Sequence, residues 1–139
     1  MVHCLFVGPT KDLRLQALLQ EYEKRLSRLW PISVRSLKED AKTIGKWILD
    51  HQSKGLLVSL DPAGEGMDSS GFAKWVTSSS RDLYFLAWGA EGPSASLPKF
   101  PCRRLSLSPM TTSHELARVL LMEQLYRSGA LLKGHPYPK

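Results

Sequence analysis

The sequence predicts an α/β fold, a parallel-type sheet covered by helices on both faces. Three observations carry this. Short β-prone apolar runs alternate with stretches of helical spacing, in the order β-α-β-α-β-α-β-connection-β-α. Loops holding Gly, Pro or Thr follow the strand-like runs, where ligands sit in such folds. Finally, 139 residues with 42% hydrophobic content suit one domain that buries its own core.

Taken in order, residues 3–7 (HCLFV) read as a buried strand ended by Gly8 and Pro9. Thr10 can cap a helix whose Leu15, Leu18, Leu19, Tyr22, Leu26 and Leu29 share a face, with Trp30-Pro31 as its stop. Residues 32–37 alternate like a strand with one wet face. Residues 40–53 form a second helix around Ala41, Ile44 and Ile48, with Gly55 beyond its end. Residues 56–60 (LLVSL) are a short strand, and 61–66 are expected to be a loop. A short helix over 70–77 leads through a serine run to the strand 83–88 (LYFLAW). The glycine-bearing loop 89–93 follows, then a connection interrupted by Pro93, Pro98 and Pro101.

The last third organises the chain. Residues 105–108 (LSLS) alternate like a strand and break at Pro109. Thr112 is a good N-cap, and Glu115 three residues on completes a capping box. The helix behind it is apolar on nearly every side over its first turns. A helix of that kind needs two surfaces, its own sheet and a second subunit. The expected cleft brings together the loops 61–66, 89–93 and 108–112.

The net charge is +6, and it is concentrated at the end. Residues 99–139 hold seven Lys or Arg against two acids. Such an end suits a polyanion such as RNA or a solvated basic surface, and composition does not decide between them. Cys4 and Cys102 are isolated, which argues against a disulfide or zinc site and fits a reducing cytoplasm. No apolar run reaches membrane-spanning length. Several chemistries are excluded by pattern. Gly89 and Gly92 make neither a GxGxxG fingerprint nor a Walker A loop, since no Gly-Lys-Ser/Thr follows. His114-Glu115 starts like a zinc-protease helix, but Arg118 occupies the second ligand position, so no metal is expected. His114 is left to make polar contacts at the helix start, beside whatever binds the preceding loop. No GxSxG elbow or aromatic-basic RNA-recognition pattern is present.

Residues 105–127 read L-S-L-S-x-M-T-x-x-H-x-L-x-R-V-L-x-x-E-Q-L-Y-R, and a G-x-P-Y tail follows. Val58-Ser59-Leu60-Asp61 and Gly89-Ala90-Glu91-Gly92 stand upstream. In these landmarks the chain resembles the RlmH family, small SPOUT-superfamily methyltransferases that modify N3 of a pseudouridine in large-subunit ribosomal RNA. The likeness covers essentially the whole chain and is densest in its last third.

The resemblance implies a single SPOUT domain over residues 1–139 whose section from about 56 onward ends in a trefoil knot. It also implies a cytoplasmic homodimer acting on rRNA within assembled ribosomes. The implied cofactor is S-adenosylmethionine. Leu60, Gly89, Leu107, Ser108, Pro109, Met110, Thr111 and Thr112 would hold it. His114, Arg118 and Arg127 would face RNA or the second subunit, and Tyr137, His135 and Lys139 would serve catalysis. Two departures stand out. Trp88 occupies a position where the family has glycine, and Pro138 replaces the final histidine. They motivate an alternative, a catalytically impaired SPOUT-fold protein that binds RNA or ribosomes. An unrelated flavodoxin-like nucleotide-binding domain is disfavoured by the match over 105–127.

Overall fold

The structure, a computed structural model, describes residues 1–135. Its elements are β1 (Val2–Val7), α1 (Leu13–Leu26), β2 (Ile32–Leu37), α2 (Ala41–His51), β3 (Gly55–Gly66), α3 (Ser69–Ser78), β4 (Asp82–Ala87), β5 (Arg103–Ser106) and α4 (His114–Leu132). The five strands lie in the order β2-β1-β4-β3-β5, and every pairing is parallel. This is the expected α/β architecture.

Strand parity divides the core in two. Cys4, Phe6, Val58, Leu83, Phe85 and Leu105 face α1, α3 and α4, where they meet Leu19, Leu26, Phe72, Val76, Met122 and Leu125. Leu5, Val7, Leu57, Tyr84, Leu86 and Trp88 face α2 and meet Ile44, Trp47 and Ile48. The irregular connection before β5 covers the rest of that second face with Leu97, Phe100 and Cys102. Helices therefore flank both faces, three against one.

Several boundaries differ from the expected ones, each for a local reason. Asp12, not Thr10, caps α1, its Oδ1 accepting from the Arg14 amide at 2.9 Å. Helix α1 ends at Leu26, before Trp30-Pro31. Helix α2 closes at His51, and Gly55 instead opens β3, where a Cβ would collide with the Asp82 carbonyl. Residues 61–66 are not a free loop. The chain bulges after Leu60 and rejoins the sheet, so that Leu105 pairs with both Leu60 and Glu65, and Ser106 with Gly66. Gly64 permits this, since a Cβ there would lie 2.7–2.9 Å from the main chain of Arg104 and Leu105. Two ion pairs, Arg103–Glu65 and Arg104–Asp61, fasten the bulge.

Strand β5 starts two residues before the expected run and ends at Ser106, which frees Leu107 and Ser108 for the loop. Ser113, one residue after Thr112, caps α4 by accepting from the Leu116 amide at 3.1 Å. That register moves Glu115 out of the capping-box position. Its carboxylate accepts from the Asp12 amide at 2.9 Å and so ties the start of α4 to the start of α1. Helix α4 packs between α1 and α3, and Leu116, Leu131 and Leu132 remain exposed along it.

Candidate active site

A hollow of about 450 Å³ opens at the carboxyl ends of β3, β4 and β5. Its position follows from the way the chain leaves the sheet. After β3 and β5 the chain passes to the face holding α3 and α4, whereas after β4 it passes to the α2 face. Neighbouring strands whose connections part in this way leave a crevice between them.

Residues drawn from three separated segments, 60–62, 87–93 and 105–114, line the hollow together with Ala117. Of the residues expected to hold a cofactor, Leu60, Gly89, Leu107, Ser108, Met110, Thr111 and Thr112 all line it. Pro109 does not line it and is exposed. The turn is built by short-range bonds. Ser106 Oγ donates to the Ser108 carbonyl at 2.9 Å, and the Met110 amide donates to Ser108 Oγ at 3.0 Å. The lining combines the apolar residues Leu60, Leu105 and Leu107 with the hydroxyl-bearing segment Thr111–Ser113.

Trp88 is part of the lining of the hollow but does not fill it. Its indole turns to the α2 face, where Nε1 donates to Ser59 Oγ at 2.8 Å in a buried bond. Gly89 follows directly, and a Cβ at that position would collide with the carboxylate of Glu39. The Gly92 amide donates back to the Gly89 carbonyl at 3.0 Å, and Gly92 itself takes a left-handed φ of +68°.

The remaining candidate residues separate clearly. His114 lines the hollow itself, 3.8 Å from Glu115, instead of standing on an outer surface. Arg118 is fully buried and cannot reach RNA or a second subunit. Its Nη1 donates to the Gly8 carbonyl at 3.1 Å and to Thr10 Oγ1 at 2.9 Å, while Nη2 donates to the Val7 carbonyl at 2.6 Å. Burial pulls this guanidinium below the ordinary arginine value, opposed by the charges of Glu115 and Glu39. Arg127 lies farther along α4, its Nη2 2.8 Å from Glu123 Oε1. His135 follows the end of α4, its amide donating to the Ala130 carbonyl. Tyr137 and Lys139 lie outside the described residues.

Sequence reasoning placed Asp61 in a cleft loop without giving it a role, and it missed Glu39 as a neighbour of the site. Asp61 lines the hollow, and the Ala63 amide, with Arg104, holds its carboxyl below the usual range. The signal for Asp61 was present, since it directly follows a strand end. Glu39 had none, being brought to Gly89 only by the β2–α2 turn. Among the described residues, no group of His, Cys, Asp or Glu could hold a metal ion, and no helix is long and apolar enough to cross a membrane.

Known proteins resemble this chain in sequence and in fold. Residues 1–138 match the family model described as "Predicted SPOUT methyltransferase". Curated relatives carry the name Ribosomal RNA large subunit methyltransferase H. The protein of Gemmatimonas aurantiaca is 32% identical over 99% of both chains. That of Solibacter usitatus is 34% identical over 98% of this chain and 97% of its own. That of Prochlorococcus marinus (strain MIT 9303) is 41% identical over 94% of this chain and 87% of its own. A solved structure of a probable methylase family protein from Haemophilus influenzae Rd KW20 aligns over 99% of this chain and 70% of its own. Its TM-score is 0.57 at 7% identity, a likeness of fold alone.

Proposed function

The chain belongs to the SPOUT methyltransferase family, and from that premise we propose that it methylates N3 of a pseudouridine in large-subunit ribosomal RNA, with S-adenosylmethionine as methyl donor. One observation carries the proposal: three segments distant in sequence converge on a single hollow, lined by Leu60, Gly89 and the 107–112 turn.

The residues present fit the donor. The volume lies within the roughly 300–1,000 Å³ typical of small-molecule sites. An adenine ring suits a flat apolar slot edged by main-chain groups, which Leu60, Leu107 and the 107–112 backbone offer. When bound, S-adenosylmethionine supplies an electrophilic methyl group on a sulfonium. The protein's part is then placement, holding the attacking nitrogen in line and keeping water out. N3 of pseudouridine carries a proton at neutral pH, so a nearby group must accept it or favour its loss. His114 stands in the hollow wall, and Tyr137, Lys139 and His135 are the further candidates.

The tail candidates bear on assembly. Helix α4 runs 19 residues from the hollow, about 28 Å at 1.5 Å per residue. We propose that the active form is a homodimer in which the tail candidates Tyr137 and Lys139 of one copy serve the hollow of the other. The exposed Leu116, Leu131 and Leu132 offer that copy an apolar face. We further propose one domain over residues 1–139, a trefoil knot in its section from about residue 56 onward, and action in the cytoplasm on assembled ribosomes.

The test is transfer of label from S-adenosylmethionine to 70S particles or large subunits lacking the mark. Counts at a single pseudouridine are expected. Intact protein that leaves the rRNA unlabelled would reject the assignment. The impaired-binder alternative loses part of its motive, because Trp88 does not fill the hollow.

A further inference from the structure

We propose that Trp88 is a positioning residue: bonded to Ser59 on the α2 face, it holds the turn at residues 89–92 in the shape that receives the methyl donor. This rests on the donor reading above. It concerns a position where the resemblance supplies glycine, so it belongs to this chain rather than to the family pattern.

The turn is poorly constrained by its own composition. Gly89 and Gly92 both lack a Cβ, and glycine loses more freedom on ordering than any other residue. Within the turn, the Gly92 amide donates to the Gly89 carbonyl at 3.0 Å. What precedes it is rigid. Strand parity sends the Trp88 side chain to the α2 face beside Leu86 and Tyr84, and the residue is only 6% exposed. An indole N–H is a donor with a single direction, so its 2.8 Å bond to Ser59 Oγ fixes the ring's orientation against β3.

Two further contacts complete the brace. Leu97 and Phe100 pack on the same apolar cluster and anchor the chain beyond the turn. On the turn's own side, the Glu39 carboxylate lies where a Cβ of residue 89 would be. Gly89 is thus held from both ends while its backbone faces the hollow. A loop ordered before the ligand arrives removes that ordering cost from binding.

The experiment uses the full chain with Ser59→Ala, Trp88→Phe and the double variant. It measures Kd for S-adenosylmethionine by calorimetry, donor KM and kcat on large subunits, and the indole N–H resonances by ¹H–¹⁵N correlation. Each single variant is expected to raise Kd about tenfold, the usual scale for a broken buried bond. The double variant should be no worse than either, since both remove the same bond. The loss should appear in the donor KM rather than in kcat. The Trp88 indole resonance, absent in Trp88→Phe, should shift in Ser59→Ala and on adding donor to the wild type.

Unchanged Kd in Ser59→Ala with a shifted indole resonance would overturn the proposal, as would losses that simply add. Should Trp88→Phe fail to fold, Ser59→Ala decides alone. A wild-type protein that binds no donor would sink the donor reading and this inference together. Binding that no variant weakens would remove this inference only.

Discussion

Replacing Arg118 by methionine tests whether the final helix is pinned to the first strand. The guanidinium makes three bonds, to the carbonyls of Val7 and Gly8 and to Thr10 Oγ1, at 2.6–3.1 Å. Methionine has a similar length but no donor, so two main-chain carbonyls lose a buried partner. Each such loss costs about 1–3 kcal/mol. Removing the charge offsets part of this, because a cation with no carboxylate in direct contact is expensive to bury. A net loss of about 3 kcal/mol is expected. With about 2.1 cal/mol/K of unfolding entropy per residue, 139 residues give about 0.3 kcal/mol/K, hence a fall in Tm of about 10 °C. Calorimetric melting at matched scan rates measures it, with Arg118→Lys falling between, since an ammonium cannot reproduce the fork. Amide exchange should rise at residues 7–10 and at the start of α4, and not in α2. An Arg118→Met protein melting within about 2 °C of wild type would refute the idea that these bonds hold α4 to β1.

Three further outcomes are expected. If the tail completes a hollow on a second copy, a hollow-blocked Leu107→Arg chain and a Tyr137→Phe chain should each be nearly inactive, yet regain about a quarter of wild-type methylation after subunit exchange. A mixture as inactive as its parents would argue for sites completed within one chain. Gly64→Ala should cost about 1–3 kcal/mol by overpacking, because its Cβ would press on the Arg104 main chain at 2.7 Å; chemical denaturation would read the loss, and donor affinity should fall with it. Asp61 has its carboxyl lowered in the fold, so its contribution is fully present above the ordinary aspartate value of about 3.9 and is lost as pH falls through the lower folded value. Asp61→Asn should therefore flatten the stability profile below about pH 4, and an unaltered acid limb would count against the Ala63 and Arg104 bonds.

Much of the fold was readable because helices and strands announce themselves by period. Alternation of the two kinds gave the parallel sheet, and strand ends gave the cleft-forming loops. What local pattern could not supply was which of two adjacent polar residues caps a helix. Thr10 and Asp12 both suit the start of α1, and the choice was made by Arg118, which engages Thr10 from 108 residues away. Likewise Glu115 fits a capping box by spacing, but its carboxylate is taken by Asp12. The bulge after Leu60 was hidden for a similar reason. Asp61-Pro62-Ala63-Gly64 is turn-like in itself, and only pairing with β5 brings Glu65 and Gly66 back into the sheet. Within the site, the apolar and small residues around Leu107 were legible through the family resemblance. The interior position of Arg118 was not, since an arginine on a helix reads as a surface cation until its partners are known.

The placement of the hollow also explains why its two lips are held so differently. The 89–93 lip leaves the sheet toward α2 and is anchored by Trp88, an apolar ring with one polar tie. The 107–114 lip leaves toward α1 and α3 and is anchored through Arg118, a buried cation tied to main-chain oxygens of the β1 end. A divided exit of this kind puts the lips in separate halves of the core, so movement in one need not disturb the other. The connection after β4 has no regular structure and rests on few side chains, whereas α4 is packed along most of its length. The α4 lip is thus the firmer wall, and the glycine lip depends on the Trp88–Ser59 bond for its order. On this view the bulky residue at position 88 does not obstruct the site. It compensates for the two glycines that follow it.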